Sequence, residues 1–229
     1  MSANPQTFHF KLSNQDRPKF MSPIPEIWYP GVKDYWPVST TKRIYHPING
    51  IKAVVIHATA GSNSSGAISQ MKIGEGSFHW LIPDENEEQH EKNVWACVPE
   101  SLAAHHVLKD KFHPDVNDGM KRVNHWSLGI EVVNNQEISD FFSDWQIKIT
   151  AAIVRYCWAK YPNLSDVVSH AKLDPGRRSD PGVNFPWSQF ETYVKDTNSF
   201  SPNLFAANVG DDNFSEYMER IFNIEEGKL

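Results

Sequence analysis

Ten histidines stand in this chain of 229 residues, and position decides which of them can do chemistry. His57 closes the apolar run Ala53-Val54-Val55-Ile56, and His170 closes a second one, Val167-Val168-Ser169. Asp180 follows His170 by ten positions, across the turn-forming segment LDPGRRSDPG. Two strand ends and a loop braced by Pro and Gly can bring two imidazoles and a carboxylate together from distant parts of the chain. Such a trio neutralises half the charge of a zinc ion and leaves a fourth position for water, the composition of a catalytic rather than a structural site. Water held there would ionise at about pH 7. Spacing alone offers only a candidate, since H-x9-D also arises by chance.

The elements that must position these residues are short. Ala53–Ile56 is a continuous apolar run, the pattern of a fully buried strand. The loop AGSNSSG follows, then a short helix around Ala67–Lys72 and strands over Ser77–Ile82 and Val94–Val98. Residues 105–125 hold Pro, Gly, Asp and Asn with little periodicity and predict a long surface loop, of a kind that is often functional. Ser127–Val133 (SLGIEVV) reads as a strand. Ser143 and Gln146 have capping-box spacing, and Trp145, Ile149, Ala152, Ile153 and Tyr156 mark one face of a helix ending before Pro162. Strands alternating with helices predict an α/β layered domain.

The flanks differ. Residues 1–49 are rich in Pro and aromatics without either period, and predict an extended arm packed on the core, its aromatics buried or lining a substrate groove. Asp211–Glu226 sets Phe214, Tyr217, Met218, Ile221 and Phe222 at helical spacing, an amphipathic helix docked on the domain or bound to a partner. One domain over residues 50–195 is expected between the arm and a tail of residues 196–229.

The 22 basic residues against 28 acidic ones give a net charge of −6, and no basic stripe is interleaved with aromatics, so nucleic acid is not an expected partner. Cys97 and Cys157 both lie in apolar segments, which reads as two buried thiols rather than a redox pair. No basic start followed by an apolar run opens the chain, and no stretch is long enough to span a membrane. A cytoplasmic monomer is the resulting expectation, with non-classical export or delivery to a cell wall as the alternative.

The runs VVIHATAG, SFHWLI, NHWSLGIEVVN and SHAKLDPGRRSDPG, in that order, closely resemble the type-2 N-acetylmuramoyl-L-alanine amidases. That family includes cytosolic anhydro-muropeptide amidases, phage lysozyme-amidases and the peptidoglycan recognition proteins. The likeness covers roughly residues 50–195, and four ordered motifs are far more specific than one. It implies a central mixed β-sheet flanked by helices, with one zinc ion in a surface groove. It also implies hydrolysis of the amide between the lactyl group of N-acetylmuramic acid and L-alanine, in peptidoglycan or muropeptides. The family's metal ligands correspond to His57, His170 and Asp180.

The acid of the family's S-[IL]-G-[IV]-E strand corresponds to Glu131, as general base or acid. Among Ile130, Val132 and Val133 an acid needs a partner or a purpose in any case. Arg178 stands where many active members carry Lys. A guanidinium stays charged, so Arg178 can stabilise an oxyanion but cannot donate a proton, which must reach the leaving amine through Glu131 or water. Arg177 is one residue out for that role. His79 and His105 also match family positions: His79 is expected to be buried and structural, and His105 to contact substrate or Glu131 or to serve structurally. Asn124 is expected at the substrate-binding wall, fixing the turn into the Glu131 strand. A module that binds peptidoglycan without cutting it is the alternative reading, although such relatives typically lack a metal ligand. The lack of a visible secretion signal favours soluble muropeptide or anhydro-muropeptide fragments over intact wall, whereas the aromatic arm and the 105–125 loop would suit a longer glycan.

Overall fold

The structure, a computed structural model, describes residues 3–19, 24–88, 90 and 92–196; the amphipathic helix read over 211–226 lies outside them. The strands are β1 (His9–Lys11), β2 (Ile27–Trp28), β3 (Thr40–Lys42), β4 (Ala53–Ala58), β5 (Trp80–Ile82), β6 (Trp95–Ala96), β7 (Leu102–Ala104), β8 (Ser127–Val132) and β9 (Asp166–Ser169). The helices are α1 (Trp36–Ser39), α2 (Pro47–Gly50), α3 (Ser64–Ile73), α4 (Asp144–Lys160), α5 (His170–Leu173) and α6 (Trp187–Lys195). Among the described residues seven strands form one sheet in the order β1-β9-β4-β8-β5-β6-β2, and β3 pairs with β7. The central four run parallel and β1 and β6 run against their inner neighbours, so the sheet is mixed, as the resemblance implied.

Strand parity sorts the side chains into two faces. Val54, Ile56 and Ala58 of β4 and Leu128, Ile130 and Val132 of β8 pack with Cys157 and Trp158 of α4 and Phe190 of α6. Ala53 and Val55 of β4 pack on the other face with Val107, Val123 and Trp126. His57, Ser127, Gly129 and Glu131 share the parity of that second face. Its floor therefore carries polar groups on an otherwise apolar sheet.

Helix α4 begins at the expected capping box: Ser143 Oγ accepts from the Gln146 amide (3.1 Å) and Gln146 Oε1 from the Ser143 amide (3.0 Å). Two expected strands are shorter. Ser77 leaves the ladder because its amide donates to the His105 carbonyl (3.0 Å) and its hydroxyl to the Ser39 carbonyl (2.6 Å). The second, expected over 94–98, is confined to Trp95–Ala96. His170 opens α5 rather than ending β9, because Ser169 Oγ caps that helix at the Lys172 amide (3.0 Å).

The first 49 residues, read as an arm, supply both edges of the sheet: β1 pairs with β9, and β2 with β6. Arg17 donates to the carbonyls of Trp158, Tyr161 and Pro162, satisfying acceptors at the α4 C-terminus. No helix among the described residues is long and apolar enough to cross a membrane.

Candidate metal centre

The register of β4 on β8 sets His57 opposite Glu131. They lie near the C-terminal ends of adjacent parallel strands, where open α/β sheets bind ligands. His170 arrives from the other side of β4, at the start of α5. Asp180 is returned by a tight turn, in which the Asp174 carbonyl accepts from the amides of Arg177 (3.1 Å) and Arg178 (2.9 Å). The Ala171 amide then donates to the Asp180 carbonyl (2.9 Å), tying the two segments together.

Three electron-pair donors converge. His57 Nδ1 is 3.0 Å from His170 Nδ1 and 3.2 Å from Asp180 Oδ2, and His170 Nδ1 is 3.0 Å from the same oxygen. A tetrahedral ion with bonds of about 2.0–2.1 Å needs ligand atoms about 3.3 Å apart. The trio fits such an ion in spacing and in donor chemistry, and it is the only buried group of this kind among the described residues.

Burial is the main reason the His57 imidazole is pushed down to about 4, with His170 adding to the effect and Asp180 opposing it. It is a neutral donor at physiological pH. Burial alone would raise Asp180, but hydrogen bonds with His170 and His57 prevail and hold it well below the ordinary carboxylate range. Glu131 moves the other way. Burial and then the Asp180 charge push its carboxyl well above the usual value, and Arg178 offsets only part of this. A carboxyl shifted in this direction is suited to holding and passing on a proton.

These groups line a groove of about 890 Å³ that also carries Lys109, Arg122, Arg177 and Arg178. Arg178 is exposed there, whereas Arg177 Nε is engaged by the buried Asp174 Oδ2 (2.7 Å). His105 is half-buried on the wall, and burial lowers its pKa. Asn124 also lines the groove, with both ends of its amide on Val107: Nδ2 donates to the carbonyl (2.8 Å) and Oδ1 accepts from the amide (2.9 Å). It closes the loop over 105–125. His79 lies beneath the site, fully buried, and its Nδ1 accepts from the Gly129 amide (2.9 Å), pinning β8.

One residue escaped the sequence reading. His106 is buried behind His57, its Nδ1 3.0 Å from His57 Nε2. Its signal was the small residue in SLGIE: a Cβ on Gly129 would lie 2.9 Å from the His106 ring.

The family profile described as N-acetylmuramoyl-L-alanine amidase matches residues 47–183. N-acetylmuramoyl-L-alanine amidase AmiD of Escherichia coli (strain K12) is 29% identical over 166 residues, 69% of this chain and 58% of that protein. The 1,6-anhydro-N-acetylmuramyl-L-alanine amidase AmpD of Salmonella typhimurium (strain LT2) is 33% identical over 89 residues, 38% of this chain and 46% of that protein. The chain thus spans about half the length of the curated relatives it matches. The solved complex of E. coli AmiD with anhydro-N-acetylmuramic acid-L-Ala-D-gamma-Glu-L-Lys superposes with a TM-score of 0.53 at 28% identity, over 67% of this chain and 60% of that one. AmpDh3 from Pseudomonas aeruginosa shares the fold, with a TM-score of 0.57 at 21% identity over 82% of this chain and 72% of that one. With four ordered motifs, the mixed sheet and a profile spanning the segments that carry His57, Glu131 and His170, the chain belongs to the N-acetylmuramoyl-L-alanine amidase family.

Proposed function

We propose that this chain hydrolyses the amide between the lactyl group of N-acetylmuramic acid and L-alanine in muropeptides, with one zinc ion held by His57, His170 and Asp180. The observation that carries this reading is the convergence of those three donors beside Glu131 on one groove floor, in a chain of this family. The names and ligands of the AmiD and AmpD relatives make anhydro-muropeptides the first substrates to test.

Zinc bound there supplies Lewis acidity and eases the ionisation of water. Glu131 takes a proton from the attacking water on a carboxylate oxygen and returns it to the departing L-alanine nitrogen. The Arg178 guanidinium faces the carbonyl oxygen as negative charge builds on it, and stays protonated throughout. Asn124 and His79 hold the groove wall and β8 in place. One chain supplies every group the reaction uses, so the protein is read as acting as a monomer.

The test is mass spectrometry of products from anhydro-muropeptides and from intact sacculi, with metal analysis of the same protein. Roughly one zinc per chain and release of stem peptides beginning with L-alanine are expected. Tight ligand retention without released peptide, at full zinc loading, would make the protein a binding module instead.

A further inference from the structure

Behind the three converging donors runs a row of groups that the reaction does not use. His57 Nε2, the nitrogen turned away from the cluster, is 3.0 Å from His106 Nδ1. His106 Nε2 is 3.1 Å from Ser127 Oγ, which lies 2.7 Å from the Val123 carbonyl oxygen.

The last member fixes the direction of every bond. A carbonyl oxygen only accepts, so the single Ser127 hydroxyl hydrogen is donated to Val123. Ser127 Oγ must then accept from His106 Nε2–H. A neutral imidazole has one N–H, so His106 Nδ1 carries a lone pair and accepts from His57 Nε2–H. That leaves the His57 lone pair on Nδ1, the atom facing His170 and Asp180.

We propose that His106 is a positioning residue that fixes His57 in the Nε2–H tautomer and so presents Nδ1 to the metal centre. The proposal rests on the reading of His57, His170 and Asp180 as that centre. The fold makes room for the ring: an added Cβ at Gly129 would stand 2.9 Å from His106 Cγ and 3.0 Å from its Nδ1. The two rings meet edge-on, with planes at 87° and centroids 5.1 Å apart. His106 is not a further ligand, because it meets the opposite nitrogen of His57. His170 has no such support, since its Nε2 is buried without a hydrogen-bond partner among the described residues. Val123 and His106 lie near opposite ends of the loop that Asn124 closes on Val107, so the loop walling the groove also orients the ligand.

His106→Phe keeps a ring and removes the acceptor, whereas His106→Asn places an amide oxygen near the position of Nδ1. In the metal-free full-length chain, long-range ¹H–¹⁵N correlation spectra read the His57 tautomer. A protonated Nε2 is expected in the native chain, a mixture in His106→Phe, and the native pattern again in His106→Asn. Zinc affinity, read by competition with a chromogenic chelator, should fall about 10–100-fold in His106→Phe and largely recover in His106→Asn. Ser127→Ala breaks the row one link further back and gives the same reading if His106→Phe does not fold. A native His57 protonated at Nδ1, or folded variants with unchanged tautomer and zinc affinity, would overturn the proposal. If the native chain binds no zinc, the metal reading fails, while the tautomer spectrum still decides the role of His106.

Discussion

Glu131 and Asp180 are two carboxyls on one groove floor driven to opposite states, the first toward its acid form and the second toward its anion. Partners make the difference, since Asp180 meets two imidazoles while Glu131 meets burial and the Asp180 charge. Carboxyls pushed apart in this way mark acid–base work. A carboxyl with a raised folded pKa contributes stability that is fully present below its unfolded value of about 4.3 and is lost as pH rises from there through the folded value. Metal-free Glu131→Gln should therefore melt above the native chain at about pH 8 and little differently at about pH 4, while hydrolysis drops about 10²–10⁴-fold with zinc retained. Calorimetry and turnover assays check both, and near-native turnover would remove Glu131 from the mechanism. Arg178→Ala should lower kcat about 10²–10³-fold yet leave the pH profile's shape intact, because a guanidinium does not titrate there. A lost basic limb in that variant would assign Arg178 the acid role denied it above. The convergence of His57, His170 and Asp180 was legible because strand ends and a Pro/Gly turn leave marks in a sequence. His106 left only an indirect mark, the glycine that makes room for its ring, since two adjacent histidines open a stretch without periodicity and only the fold shows which of them turns inward.

At the scale of elements, legibility followed length. β4, β8 and α4 carry apolar runs or a capping box, and their positions were readable to within a few residues. β1, β2, β3 and β7 are two or three residues each, too short for any period, and each is defined by the strand beside it. β1 shows what replaces periodicity. Asp166, fully buried at the start of β9, accepts from His9 Nε2 (2.7 Å), Lys11 Nζ (2.6 Å) and Ser165 Oγ (2.7 Å). Burial would raise this carboxyl, but those hydrogen bonds prevail and lower it. A lowered folded pKa contributes stability above the unfolded value of about 3.9, lost as pH falls through the folded one. Asp166→Ala should cost about 1–3 kcal/mol at about pH 7, toward the lower end because Lys11 is largely exposed and screened. Urea unfolding at about pH 7 and about pH 3 measures the gap, which should narrow at the lower pH. An equal gap at both would mean that packing, not charge, holds β1 to β9.

Over the whole molecule the charge is −6, yet the groove gathers Lys109, Arg122, Arg177 and Arg178 against Glu75, Glu131 and Asp180. Composition gives the overall sign of the charge but could not show this reversal. The four cations come from positions 109, 122, 177 and 178, and only the return of the 174–180 turn beside the long loop brings them together. The four cations outnumber the three acids, and Asp180 is paired with two imidazoles, so the groove is net positive. Arg122 reaches it from a left-handed backbone conformation with φ 60°, which non-glycine residues seldom adopt and which tends to be retained at functional sites. A positive cleft in a negative protein draws anionic ligands inward and leaves the remaining surface to repel them. The stems of the muropeptides proposed as substrates carry free carboxylates, so on that reading their capture should depend on salt. Raising ionic strength from about 0.05 to about 0.5 M shortens the screening length from over 10 Å to under 5 Å, and kcat/KM should fall with kcat nearly constant. Arg122→Gln should flatten that dependence, because it removes a rim charge and touches none of the reacting groups. A flat profile in the native chain would show that stem peptides enter by shape and apolar contact, and would leave the four cations with local roles such as the Arg177–Asp174 pair.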